Sequence, residues 1–184
     1  MEVQRTASPQ FGSRFIARAT VQQKINRRWE DMPVNLVKFD AGNKMDRLTI
    51  NFLSLLWNGG KNLSGTIAEE AGILRRKSQI YALTTQKDDF KHLDINKILG
   101  LMSTDKVDPK TKTAEIFKIG TDPQYAYEQN KRNRDIRHIA KAMVDSFSKK
   151  VAKPFVSYAE PQEVKFLEKV NLSPKSKDVI EFIG

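Results

Sequence analysis

Three short apolar runs separated by polar loops, followed by one long amphipathic stretch, set the limits on what this chain can fold into. The runs are SQIYALTTQ (Ser78–Gln86), KILGLMST (Lys97–Thr104) and AEIFKIGT (Ala114–Thr121). Each has strand length and is bounded by polar, turn-forming residues, which predicts β-strands. The loop DKVDPKTKT between the last two predicts an antiparallel hairpin. Farther on, Ile136, Ile139, Ala140, Met143, Val144, Phe147 and Val151 recur every three or four residues, the spacing of one apolar helix face, with Pro154 expected to end the helix. A strand meander and an amphipathic helix bury their apolar surfaces together only as a sheet with helices packed on it.

The rest of the chain extends this plan. Met1–Ser13 carries Pro9 and Gly12 and no periodic apolar pattern, so it reads as a tail. Phe15, Ala17, Ala19 and Val21 alternate with polar neighbours, and Val34, Leu36, Val37 and Phe39 follow Pro33; the polar NRRWED between them predicts the turn of an N-terminal hairpin. Asn43 is placed to cap a helix carrying Met45, Leu48, Phe52, Leu55 and Leu56 on one side, stopped by Gly59 and Gly60. Ser64 is placed to cap a second helix with Ile67, Ala68, Ala71 and Leu74. Phe155, Val156 and Tyr158 form a short strand, Pro161 opens a helix with Val164, Leu167 and Val170, and DVIEFI makes a last strand. The order β-β-α-α-β-β-β-α-β-α-β predicts an α/β (α+β) fold, a mixed and mostly antiparallel central sheet with helices on both faces. Residues 14–184 read as a single domain, with 14–33 as an extension to its core.

Composition removes several chemistries. The 184 residues include no cysteine and two histidines, so disulfides, thiolate metal sites and cysteine nucleophiles are excluded and no metal site is expected. No apolar run approaches the ~20 residues of a membrane span, and Met1–Thr20 does not read as a secretory signal, so a cytoplasmic location is expected. Lys and Arg number 32 against 22 Asp and Glu, a net charge of +10, which favours an anionic partner: a membrane surface, or one of two phosphate-rich classes, nucleic acid or a phosphate-bearing cofactor. The densest basic cluster, Lys131–Lys141, lies across the start of the long helix. Nucleic acid is the weaker of those two readings, because aromatic residues are not interleaved with the basic clusters along the chain.

From Val34 onward the element order resembles that of the GNAT superfamily of acyl-CoA-dependent N-acyltransferases. Three stretches carry the resemblance. VNLVKFDAGNKMDRLTINFLSLL is similar to the family's first strand and helix. EIFKIGTDP, followed after a loop by Asp135-Ile136-Arg137-His138-Ile139-Ala140, is similar to its strand and Q/R-x-x-G-x-G/A loop. Ala140 matches the last position, while His138 stands for glycine and Asp135 for Gln or Arg. EVKFLEKVNL resembles the closing pattern A-x-x-F-Y-E-K-x-G-F: Phe166, Glu168 and Lys169 match, Leu167 stands for tyrosine and Asn171 for glycine.

The resemblance implies an N-acetyltransferase moving an acetyl group from acetyl-CoA to a primary amine of an unidentified acceptor. The turn at His138, Ile139 and Ala140 is implied to hold the diphosphate of coenzyme A, aided by Arg132, Arg134, Arg137 and Lys141. The backbone of Phe117, Ile119 and Thr121 is implied to pair with the pantetheine arm, in a gap between Ile116–Thr121 and Phe155–Ala159. Glu115 is the candidate base and Tyr158 the candidate acid. The departures at His138, Leu167 and Asn171 leave open a catalytically degenerate GNAT-like binding domain.

Overall fold

The structure, a computed structural model, describes residues 12–40, 42–57, 78–126, 134–157 and 161–172. The expected helix from Ser64, the strand over DVIEFI, Met1–Phe11 of the expected tail, Arg132 and Tyr158 lie outside those residues.

Strands β1 (Arg14–Ile25) and β2 (Arg28–Lys38) form the N-terminal hairpin, and α1 (Lys44–Leu56) follows. Strands β3 (Gln79–Thr84), β4 (Ile98–Thr104) and β5 (Thr113–Thr121) make the meander. Then come the two-residue strand β6 (Ile136–Arg137), α2 (Ile139–Lys150), β7 (Lys153–Phe155) and α3 (Pro161–Lys169). The sheet order is β6-β1-β2-β3-β4-β5-β7. All neighbours are antiparallel except β5 and β7, which are parallel. The fold is therefore α+β, with a mixed and mostly antiparallel sheet.

Two apolar clusters flank the sheet. Phe147, Met143 and Ile139 of α2 and Leu167 of α3 pack on Val21, Leu36, Tyr81 and Met102. On the other face Ile50, Leu53 and Trp57 pack on Val37, Ile80, Ala82 and Leu101. Strand β4, between β3 and β5 in the interior of the sheet, is buried along its whole length.

Four details differ from expectation. The turn of the hairpin is not NRRWED but Asn26-Arg27 alone, both at positive φ (48° and 66°); this two-residue geometry matches the twist of the strands, so β2 begins at Arg28. The long helix starts at Ile139 rather than Ile136, because Ile136 and Arg137 pair with Gln23 and Gln22 of β1, and Lys24 N donates to Asp135 O at 2.7 Å. The helix stops at Lys150, and Pro154 sits inside β7 opposite Ala114, where a sheet-edge strand tolerates a missing N–H. Helix α1 is capped as expected, Asn43 Oδ1 accepting from Met45 N and Asp46 N, but it turns its other side inward. Ile50, Leu53 and Trp57 are buried, while Met45, Leu48, Phe52 and Leu56 are exposed. The side chain of Leu55 lies outside the described residues.

Candidate functional site

The site is built from the sheet outward. On its β4 side, β5 pairs continuously except at one position. Ser103 faces Lys118 and Thr104 faces Ile116, so Phe117 is an extra residue without a partner on β4. Such a bulge bends its strand and raises the local twist. On the other side, β7 pairs with β5 only at Thr113, Ala114 and Glu115. Pairing stops where the bulge begins. From Ile116 to Thr121 that edge of β5 has no strand partner among the described residues, so its backbone N–H and C=O groups are a template for an extended ligand.

At the far end of this edge lies the start of α2. A Cβ on Gly100 would sit 2.8 Å from Ile139 Cγ2 and 3.0 Å from Gly120 O. Glycine at this position lets the first turn of the helix press onto β4 and β5. His138 stands at the N-cap with a left-handed backbone (φ 68°) and gives no side-chain cap bond. Ala142 N donates to His138 O at 2.9 Å, which begins the helical ladder. The amides of Ile139, Ala140 and Lys141 precede the ladder and have no intrahelical acceptor. With the helix dipole they favour an anion.

Charge at this turn points the same way. The His138 imidazole is held below its ordinary pKa by partial desolvation first, then by Arg137, Arg134 and Lys141. The charges of three cations thus act on one imidazole. Arg134 and Arg137 are half-buried, and Lys141 Nζ pairs with Asp145 Oδ2 at 3.2 Å. Ile139 and Ala140 are buried, so only their backbone is available.

The opposite end of the edge carries carboxylates. Glu115 is half-buried, and its N–H donates to Asp105 Oδ1 at 2.7 Å while Asp105 N donates back to Glu115 O at 3.0 Å. The Asp105 carboxyl is pushed up chiefly by desolvation, with the charge of Glu115 adding to it. Asp105 has no place in the sequence reading; only its contact across the hairpin with Glu115 brings it forward. Thr121 lies six positions beyond Glu115, roughly 20 Å of strand. Along that edge Phe117 is exposed, Ile119 buried and Thr121 half-buried. The structure thus brings Phe117, Ile119, Thr121, Arg134, Arg137, His138, Ile139, Ala140 and Lys141 toward one edge and one turn, and sets Glu115 at the other end. Arg132 and Tyr158 remain outside the described residues. Leu167, where the resemblance has tyrosine, packs in the core and offers no chemistry.

Two solved structures resemble the chain, and both are acetyltransferases. One is an acetyltransferase of Trypanosoma brucei, at 14% identity and a TM-score of 0.39, covering 79% of this chain and 96% of that one. The other is glucosamine-6-phosphate N-acetyltransferase of Arabidopsis thaliana, at 14% identity and a TM-score of 0.39, covering 82% and 99%. No protein-family model and no curated protein matches the chain. Among the described residues no helix is long and apolar enough to cross a membrane, and no three His, Asp or Glu side chains are grouped to hold a metal ion.

Proposed function

We propose that the chain is a divergent member of the GNAT superfamily that transfers an acetyl group from acetyl-CoA to a primary amine. The observation that supports this reading best is the parting of β5 from β7 at the Phe117 bulge, on the same edge as the open first turn of α2. The diphosphate lies on the amides of Ile139, Ala140 and Lys141, with Arg134, Arg137 and Lys141 balancing its charge. The pantetheine arm runs back along β5 and pairs with the backbone of Ile119 and Phe117. Its thioester then arrives near Glu115. There the neutral amine attacks the acetyl carbonyl, the C–N bond forms, the thiolate leaves and takes up a proton, and Glu115 accepts the proton lost by nitrogen, directly or through water. Tyr158 is the proposed donor to the thiolate. The products are the N-acetylated acceptor and free coenzyme A.

A second reading is favoured by Leu167, whose burial removes the tyrosine of the resemblance from chemistry: a domain that holds an acyl-CoA without turning it over. Titration calorimetry with acetyl-CoA tests both. Saturable binding is expected, weakened about ten-fold or more by Arg137→Glu. Absence of heat at millimolar acetyl-CoA overturns both readings. Binding without release of free coenzyme A across an amine panel leaves the second.

A further inference from the structure

The hairpin β1–β2 places an aromatic ring against one of the cations at the start of α2. The indole of Trp29 lies under the guanidinium of Arg137, with Cζ 4.1 Å from the ring centre. Arg137 Nε donates to Gln22 Oε1 at 2.8 Å, which fixes the guanidinium in place. The strand register sets Trp29 opposite Lys24, Gln22 opposite both Asp31 and Arg137, and Arg18 opposite Asn35. By strand alternation these residues share one side of the sheet. It is the side on which α1 packs, yet the cluster under α1 takes only Val37 from β2 and nothing from β1. Arg18 and Lys24 are exposed and Trp29 is half-buried. Among the described residues, this face of β1, β2 and β6 carries three cations (Arg18, Lys24 and Arg137), one indole and a single acidic side chain, Asp31.

We infer that this face binds single-stranded nucleic acid. The charge excess selects a polyanion, and the stacked Trp29–Arg137 pair selects one with flat bases, which an acidic peptide lacks. Bases stack on the Trp29–Arg137 pair while Arg18 and Lys24 contact phosphates on either side. The aromatic partner absent from the basic clusters along the chain is supplied across the fold, by a residue 108 positions away. Arg137 is shared with the proposed acyl-CoA site, whereas Arg18 and Lys24 belong to no part of it, so substitutions at those two positions separate nucleic-acid binding from acyl-CoA binding.

The test is fluorescence anisotropy of a labelled oligouridylate of about twelve nucleotides, with oligothymidylate and poly-glutamate as parallel arms. Binding is expected to weaken with salt, with a log–log slope of about −1.4, as two phosphate contacts on a single strand require. Arg18→Ala with Lys24→Ala, both at exposed positions, reduces that slope by more than about 1 while acetyl-CoA titration stays at wild type. Trp29→Ala weakens binding about ten-fold with the slope unchanged, and Trp29→Phe, which keeps a stacking ring, retains most of it. If Trp29→Ala perturbs the far-ultraviolet dichroism, Trp29→Phe and the double variant decide. Equal displacement by poly-glutamate, or affinity and slope untouched by the double variant, overturns the inference.

Discussion

Under α2 and α3 the sheet buries one continuous apolar cluster, from Val21 and Leu36 through Tyr81 and Met102 to Phe147 and Met143. Under α1 the buried set is smaller and has a charged group at its margin, the carboxyl of Asp46. The difference separates two ways of attaching a helix. On the first face shape alone decides: Phe147 meets Tyr81 edge-on, with ring centroids 5.1 Å apart, and Gly100 admits Ile139 to the sheet surface. On the second face a polar latch shares the work. Asp46 Oδ2 accepts from Asp40 N at 2.7 Å and tethers the start of α1 to the end of β2. Nearby, Ser13 donates its hydroxyl to Phe90 O, and Gln86 holds the loop that follows β3 with hydrogen bonds to Asp88, Asp89, His92 and Asp94.

The largest expected effect breaks the first face. Phe147 is fully buried, and its ring fills the space between α2 and Tyr81. Phe147→Ala is expected to cost about 3–5 kcal/mol, read as a shift in the urea midpoint at unchanged slope. A loss below about 1 kcal/mol would mean that α2 is not keyed to the sheet by this residue, and the contrast between the faces would fail.

How far the sequence carried differs between the same two faces. On the α2 side the periodic positions Ile139, Ala140, Met143, Val144 and Phe147 are all buried, joined only by the small side chains of Ala142 and Ser146, because one stripe of that helix carries the large apolar residues. On the α1 side two stripes compete. Met45, Leu48, Phe52 and Leu56 make the longer one, but Ile50, Leu53 and Trp57 face the sheet. Choosing the shorter stripe brings Asp46 inward, which periodicity counts as an error. The fold accepts it because the carboxylate finds the Asp40 N–H, a partner invisible in a local window. The candidate site divides in the same way. Its loop and strand residues could be named from the chain, whereas the Phe117 bulge, the pairing of Asp105 with Glu115 and the Trp29–Arg137 stack depend on register between distant segments.

The second prediction acts on the latch. Burial raises the Asp46 carboxyl to about 6 from its ordinary 3.8, against the opposing hydrogen bond from Asp40. The folded state therefore holds its proton more tightly than the unfolded state does. Asp46 costs nothing below about 3.8, and its contribution falls as pH rises from there to about 6, then levels off. Asp46→Asn keeps an acceptor for Asp40 N and removes the charge. It is expected to raise stability at pH 7 by about 1–2 kcal/mol and to flatten the stability profile over that window. Thermal melts from pH 4 to 8 check it, provided each variant unfolds reversibly. A variant with the wild-type pH dependence would show that the latch is not where the charge is strained.

The smallest effects concern two turns, both on the α2–α3 face and both at positions where the GNAT resemblance has glycine. His138 has φ 68° and Asn171 has φ 61°. The second closes α3 in a complete Schellman motif: Leu172 N donates to Leu167 O at 2.9 Å, Asn171 N donates to Glu168 O at 3.1 Å, and Leu167 and Leu172 are both in the core cluster. The left-handed region is crowded by a Cβ, and Asn and His are among the few side chains that enter it with any frequency. The two departures from the pattern thus keep the backbone that glycine would give. His138→Gly and Asn171→Gly are each expected to stabilise by no more than about 1 kcal/mol, relief of the Cβ outweighing the entropy of the unfolded chain. His138→Val and Asn171→Val should each cost more than their glycine counterparts, because a β-branched side chain fits this region worst. The ranking Gly, then wild type, then Val at both positions is the expected reading of the chemical melts. The same ranking at Asn171 with a reversed order at His138 would mean that the imidazole, rather than the backbone, holds the turn at the start of α2.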